Sequence, residues 1–239
     1  MAQRIRIHKY IANCGYTSRR RAELLIQAGR VQVNDRTVST LGMTIDPKRD
    51  SVVINGDLIK LPERVTVLFH KPTGVITSTH DTHDRLTVMD LLPRRFRDTG
   101  VVPVGRLDQN TEGLLLLTND GDLNHQICHP SHEVEKEYLV EVERHPGREE
   151  LRRFETGIVS EGRKTAPAQV LSAEAVGKRS RVLVGITEGR KRQVRRMFDA
   201  LGHPVTYLCR MRVGILTLGE TPLGEWRALE AQEISRILE

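Results

Sequence analysis

Residues 101–121 read VVPVGRLDQNTEGLLLLTNDG. An apolar run of strand character ends at Gly105, and a polar stretch holding Arg106, Leu107 and one acid, Asp108, leads into four consecutive leucines. The leucine run, closed by Thr118-Asn119-Asp120-Gly121, reads as a second strand. Asp108 suits two roles there. A surface turn would accept it for side-chain hydrogen bonding alone, and a catalytic carboxylate would suit the same place between a strand and a Gly-marked loop.

On either side of this stretch, short strands alternate with loops and a few helices. VTVLFHKP, VITST, VVPVGRL, LLLLTND, EKEYLVEVE, RVLVGITEG and VGILTLG carry strand patterns, while LTVMDLL, DLNHQICH and RQVRRMFDALG carry helical ones. Consecutive strands with irregularly placed helices predict an α+β fold with a mixed, largely antiparallel sheet. LPERV, near 61–65, reads as a linker that ends a smaller N-terminal domain. The expected domains are 1–62 and 65–239.

Two domains, or one large one, suit 239 residues. No stretch approaches the ~20 apolar residues of a membrane span, and MAQRIRIHKY has no apolar signal core. The chain therefore reads as a soluble cytoplasmic protein. Cys14, Cys128 and Cys209 are odd in number and form no CxxC pair, which argues against a disulfide framework and a structural zinc site. Charge is concentrated at one end: residues 1–64 hold 12 Lys/Arg against 6 Asp/Glu, an excess equal to the whole-chain net charge of +6. That excess suits phosphate contacts, though ordinary solubilising charge would look the same.

RIRIHKYIANCGYTSRRRAELLIQAGRVQVND predicts two helices and a strand. The first runs near Ile5 to Cys14 and stops at Gly15; the second has Ser18 as N-cap, Ala22, Leu25 and Ile26 on one face, and Gly29 as terminator. Arg19, Arg20 and Arg21 crowd the first turn of the second helix. Cations there oppose the helix dipole, so an anionic ligand explains them better than folding stability does. SVVINGDLI adds a hairpin with Asn55-Gly56 as a type I′ turn. TSRRRAELLIQAGRVQVND followed by VVINGDLI resembles an S4 RNA-binding domain, a family that lays basic side chains along structured RNA; the resemblance covers about residues 4–62.

The chemistry has to come from the rest of the chain. No GxxxxGK[ST] or GxGxxG phosphate loop and no GxSxG elbow is present. His125, Cys128, His129 and His132 make the nearest metal-like cluster, but Pro130 interrupts it, and surface or substrate-facing histidines are the plainer explanation. In GITEGRKRQVRRMFDALGHPV, Val194, Met197, Phe198 and Leu201 form an apolar helical stripe, with Arg190, Lys191, Arg192, Arg195 and Arg196 around its start. An ion pair of Arg195 with Asp199 would contribute only about 0.3–0.5 kcal/mol and leaves the other four cations unexplained.

FHKPTGVITS, GRLDQNTEGLLLLTNDG, HPSHEVEKEYLV, the TAPA of 165–168, TEGRKRQVRRMFDALGHPV and VGILTLGETPLGEWRAL together resemble the pseudouridine synthases of the ribosomal small- and large-subunit type, which join an S4 domain to a catalytic domain. The resemblance implies that Asp108 is the catalytic aspartate of the GRLD motif, acting at the ribose C1′ of a uridine whose N1–C1′ bond breaks and which rejoins through C5. It implies that Tyr138 packs on the uracil and takes part in proton transfer. Arg195 would pair with Asp108 and keep it ionised, Val194 would form an apolar floor, and Arg106 would occupy space left by the extruded base. Arg19, Arg20, Arg21, Arg190 and Arg192 complete the expected RNA contacts.

No cofactor or metal is expected. The expected partner is ribosomal RNA or a ribosome assembly intermediate, bound by a monomer. SRRRAELLIQAGRVQVN and HKPTGVITS resemble the large-subunit members more, which points to 23S rRNA near the peptidyl transferase region, with 16S rRNA as the alternative. Two other functions stay open: a catalytically inert S4-type assembly factor, which would have no need of Asp108, and an RNA N-glycosylase or nucleosidase. Glu112 or Asp120 could supply the second carboxylate that the last requires.

Overall fold

The computed structural model describes residues 4–237 and divides into two compact units. The outermost residues of the two expected domains, 1–3 and 238–239, lie outside that range. One unit comprises the chain up to residue 65 with two later segments, 94–101 and 119–121; the other comprises the remainder.

In the first unit β1 (Ile5–Arg6) leads into α1 (Ile7–Asn13) and α2 (Arg19–Gln27), followed by β2 (Val31–Val33), β3 (Arg36–Val38), β4 (Thr44–Ile45), β5 (Val52–Ile54) and β6 (Asp57–Ile59). The first helix starts two residues later than expected because Ile5 and Arg6 pair with β4. Ser18 caps α2, its hydroxyl accepting the Arg21 amide at 3.3 Å. The antiparallel sheet runs β3-β2-β5-β6. Asn55 and Gly56 both have positive φ, 52° and 93°, as a type I′ turn requires between β5 and β6. Ile7, Ile11, Ala22, Ile26, Val31, Val52 and Ile54 are all fully buried between the helices and this sheet.

The second unit is built on one nine-stranded sheet. Its strands are β7 (Thr66–Lys71), β8 (Val102–Val104), β9 (Glu112–Thr118), β10 (Lys136–Glu143), β13 (Ala168–Val176), β14 (Arg179–Ile186), β15 (Val205–Val213), β16 (Leu216–Thr217) and β17 (Trp226–Ala228). A separate hairpin joins β11 (Val159–Ser160) to β12 (Arg163–Lys164). The helices are α3 (Arg94–Arg97), which belongs to the first unit, α4 (Gly121–Cys128), α5 (Arg148–Thr156), α6 (Gln193–Ala200) and α7 (Ala231–Arg236). The main path runs β13-β14-β10-β15-β9-β7-β17, with β16 beside β15 and β8 beside β9. Every pairing is antiparallel except β15 with β9. This is the mixed, largely antiparallel α+β architecture expected.

The four leucines become intelligible here. Leu114 and Leu116 face a cluster with Leu68, Leu123 and Ile127, while Leu115 and Leu117 on the opposite face are equally buried. A central strand covered on both sides reads as an unbroken apolar run. At its start Gly113 has φ +111°, and a Cβ there would lie 2.3 Å from the Arg210 carbonyl oxygen. Only glycine lets β9 and β15 approach this closely.

Two expected elements are absent. VITST (75–79) forms no strand; Ile76 makes one isolated bridge to Thr87. LTVMDLL (86–92) forms no helix, because the Asp90 carboxylate accepts the Thr87 amide at 2.8 Å and its hydroxyl at 2.7 Å, closing a turn just before Pro93. VGILTLG turns at Gly214 and is split between β15 and β16. No helix among the described residues is long and apolar enough to cross a membrane.

Candidate active site

A recess of about 630 Å³ opens in the second unit. Its walls are the 104–108 loop, Tyr138 of β10, the 186–192 loop, Val194 of α6 and Arg210 of β15. Asp108, Tyr138, Arg106, Val194, Arg190 and Arg192 all line it. Arg195 is buried behind it, and Arg19, Arg20 and Arg21 are exposed on α2 in the other unit.

Asp108 owes its place to backbone bonds. Lys71, fully buried at the end of β7, donates from Nζ to the carbonyls of Pro72 (2.9 Å), Asp108 (3.1 Å), Gln109 (3.3 Å) and Thr111 (2.8 Å). The Thr77 hydroxyl donates to the Leu107 carbonyl at 2.8 Å, and the Gly74 amide donates to that of Gln109 at 2.9 Å. Residues 71–77 thus fasten the loop that carries the acid. Burial draws the Lys71 ammonium down to about 8, against the opposing pull of Asp108 and Glu112. The Asp108 side chain itself is half-buried and accepts no hydrogen bond from the described residues.

The expected Arg195–Asp108 ion pair does not form. Arg195 instead donates to the carbonyls of Asn110 at 2.6 Å and Val205 at 3.2 Å, with Nε buried and unpartnered. One backbone carbonyl at the end of the loop and one at the start of β15 take the guanidinium instead. Burial and then neighbouring Arg192 lower its pKa, while the charges of Asp108 and Asp199 act to raise it. Tyr138 stands opposite Arg210 on the adjacent strand, and its hydroxyl has no protein partner among the described residues. Arg210 is held by the Leu114 carbonyl at 2.7 Å. Lys136, also lining the recess, is lowered by burial and then by Arg210.

Neither nominated second carboxylate reaches the recess. Glu112 accepts from the Tyr207 hydroxyl at 2.7 Å and lies 3.4 Å from His70, and Asp120 pairs with Arg64 at 2.7 Å. Glu188 does line it, but its oxygens are held by the Ala166 amide, the Gln193 amide group and Arg190. The histidines fare no better as a metal site. His125 and His129 stack with centroids 4.8 Å apart, and His129 Nδ1 is engaged by Ser131. Among the described residues the one group of three that brings its ligand atoms within 4.8 Å of one another is His70, Glu112 and Cys209. Burial raises the Cys209 thiol to about 11, so at neutral pH it is a poor ligand.

Sequence reasoning missed Lys71, Lys136 and Arg210 as site residues. Lys71 sits in the FHKP stretch, but its partners are carbonyls near residue 110, invisible until β7 and β9 pair. Arg210 lies in VTYLCRMRV, a strand the hydropathy pattern did not single out.

The model of the RNA pseudouridylate synthase family matches residues 65–200, and that of the S4 domain matches residues 5–50. The chain is 41% identical over 237 residues to the ribosomal large subunit pseudouridine synthase B of Bacillus subtilis, covering 97% of this chain and 95% of that one. It is 36% identical to the Vibrio cholerae protein of the same name, covering 98% and 74%. A crystal structure of a pseudouridylate synthase matches with a TM-score of 0.70 and 31% identity, covering 98% of this chain and 99% of that one. With Asp108 set in a recess of this sheet and an S4 domain before it, the chain belongs to the RNA pseudouridylate synthase family.

Proposed function

We propose that this enzyme converts one uridine of 23S ribosomal RNA, near the peptidyl transferase region, to pseudouridine, with Asp108 acting at the ribose C1′. The observation that carries the role of Asp108 is a half-buried carboxylate, without a hydrogen bond or ion pair among the described residues, on a loop clamped by Lys71 and Thr77 at the recess wall. The large-subunit assignment is supported by the names of the relatives. The enzyme acts as a cytoplasmic monomer on rRNA or an assembly intermediate.

The uridine enters the recess extruded from its stack, and Arg106 takes the space it leaves, offsetting an unstacking cost of a few kcal/mol. Cleavage of N1–C1′ sends the bonding pair to the uracil. The base turns in place, C5 bonds to C1′, the C5 proton departs and N1 gains a proton. Both a covalent Asp108–C1′ adduct and a glycal route place the same carboxylate against the sugar. Tyr138 lies against the base with its hydroxyl available for proton transfer, and Val194 floors the recess. Arg195, bonded to the Asn110 carbonyl, brings positive charge behind the loop. An isomerase must exclude water, and the second carboxylate lining the recess, Glu188, is occupied by the Ala166 amide, Gln193 and Arg190.

Tritium release from C5-labelled uridine tests this, using unmodified 23S and 16S transcripts with wild-type protein and Asp108→Asn. Release by wild type from 23S alone, without free uracil, is expected. Equal release by Asp108→Asn removes that residue as the catalyst, release from 16S alone overturns the subunit assignment, and free uracil identifies a nucleosidase.

A further inference from the structure

A second recess, of about 410 Å³, lies beside the first, between the β11–β12 hairpin and the start of α6. Arg190, Lys191 and Gln193 line both and form the wall between them. Four cations, Arg163, Arg190, Lys191 and Arg196, surround it with one acid, Glu161. Glu161 is taken by Arg196 at 2.5 Å, and Arg190 is taken by Glu188 at 3.0 Å. The charged groups of Arg163 and Lys191 have no partner among the described residues.

The surroundings are fixed. Arg190 Nη2 donates to the Lys164 carbonyl at 3.0 Å, Glu188 accepts the Ala166 amide at 2.8 Å, and the buried Thr165 hydroxyl accepts the Ile158 amide at 3.0 Å. Arg192, between the two wall residues Lys191 and Gln193, has a positive φ of 54°. That conformation is disfavoured for a side chain of this size, and such strain gathers where a site must be shaped. Folding gains nothing from two uncompensated cations in one recess. An anion does explain them.

We infer that this recess binds one backbone phosphate of the RNA, that of a nucleotide directly flanking the uridine beside Asp108. The inference rests on the proposed function, since it is the strand carrying the extruded uridine that must leave the first recess over the shared wall. Arg163 offers the planar fork suited to two phosphate oxygens, and Lys191 a point charge. A phosphate seated there fixes the sugar next to Asp108 and turns remote binding energy into orientation at C1′.

The test compares Arg163→Ala/Lys191→Ala with a control of equal charge change, Lys178→Ala/Arg179→Ala, on the exposed β13–β14 turn. Both are made in the Asp108→Asn protein and bound to an unmodified 23S transcript across a salt series. The first pair should lower the slope of log affinity against log salt by about one, and the control should leave it unchanged. Phosphate-ethylation interference should lose one position, next to the modified uridine. With Asp108 intact, the first pair should slow tritium release at least tenfold. Equal slopes, an unchanged interference map, or a lost position farther than one nucleotide from the target would overturn the inference. Binding and interference are read without turnover, so failure of wild-type protein to release tritium would count against the isomerase assignment separately.

Discussion

Replacing Lys71 by Met keeps the length of a fully buried side chain and removes the donor that holds the Asp108 loop. The Asp108 carbonyl keeps the Thr111 amide at 3.0 Å, and the Gln109 carbonyl keeps the Gly74 amide at 2.9 Å. The loss falls mainly on the carbonyls of Pro72 and Thr111. At about 1–3 kcal/mol for each buried acceptor left unmet, Lys71→Met should cost about 2–6 kcal/mol. That is survivable for a domain stable by ~5–15 kcal/mol. A loop displaced by about 1 Å should lower kcat about a hundredfold with KM nearly unchanged.

Urea midpoints and single-turnover tritium release read the two effects. The pH dependence gives a third signature. With the Lys71 ammonium at about 8 in the folded chain against an ordinary 10.5, unfolding takes up a proton between those values, so Lys71 makes stability rise with pH there. Cys14 and Cys209, raised to about 11 by burial, act in the opposite sense above their ordinary 9.0. The diagnostic is therefore the difference between wild type and variant across pH 8–10.5, which Lys71→Met should remove from the wild-type profile. A variant that turns over within threefold of wild type, with an unchanged urea midpoint, would refute the clamp.

Gly113→Ala should destabilise the chain by about 3 kcal/mol or more, since the added methyl meets the Arg210 carbonyl at 2.3 Å with φ already at +111°; an unchanged urea midpoint would contradict the β9–β15 register. Replacing Arg19, Arg20 and Arg21 by Ala should lower the salt slope of RNA binding by about two to three while raising stability by about 0.3–1 kcal/mol per cation removed from the helix N-terminus. Lower stability with unchanged RNA affinity would assign them to folding instead.

Local signals carried much of the fold. The Ser18 cap, the Asn55-Gly56 turn, the α6 stripe and the buried leucines of β9 each declare themselves within a few residues. The failures have two causes: local side-chain bonds that override an apolar pattern, and long-range partners. VITST has strand-forming residues but only Thr87 to bridge to, and LTVMDLL has a helical apolar pattern that the Asp90 carboxylate closes into a turn. VTYLCRMRV looks too charged for a central strand until Arg210 finds the Leu114 carbonyl and Arg212 meets Glu135 and Glu137. At the site, GRLD marked Asp108, whereas the bonds of Arg195 and Lys71 go to backbone carbonyls that no sequence motif records.

The sheet also orders events in time. Every buried residue of the N-terminal hydrophobic cluster lies within residues 7–59, whereas β7, the strand ending in Lys71, receives its outer neighbour only from Trp226–Ala228. On a ribosome extending the chain by ~5–20 residues per second, the two moments are separated by roughly ten to thirty seconds. The nascent chain can therefore bury its N-terminal hydrophobic cluster well before the larger sheet can close, so the two cores form in sequence during synthesis.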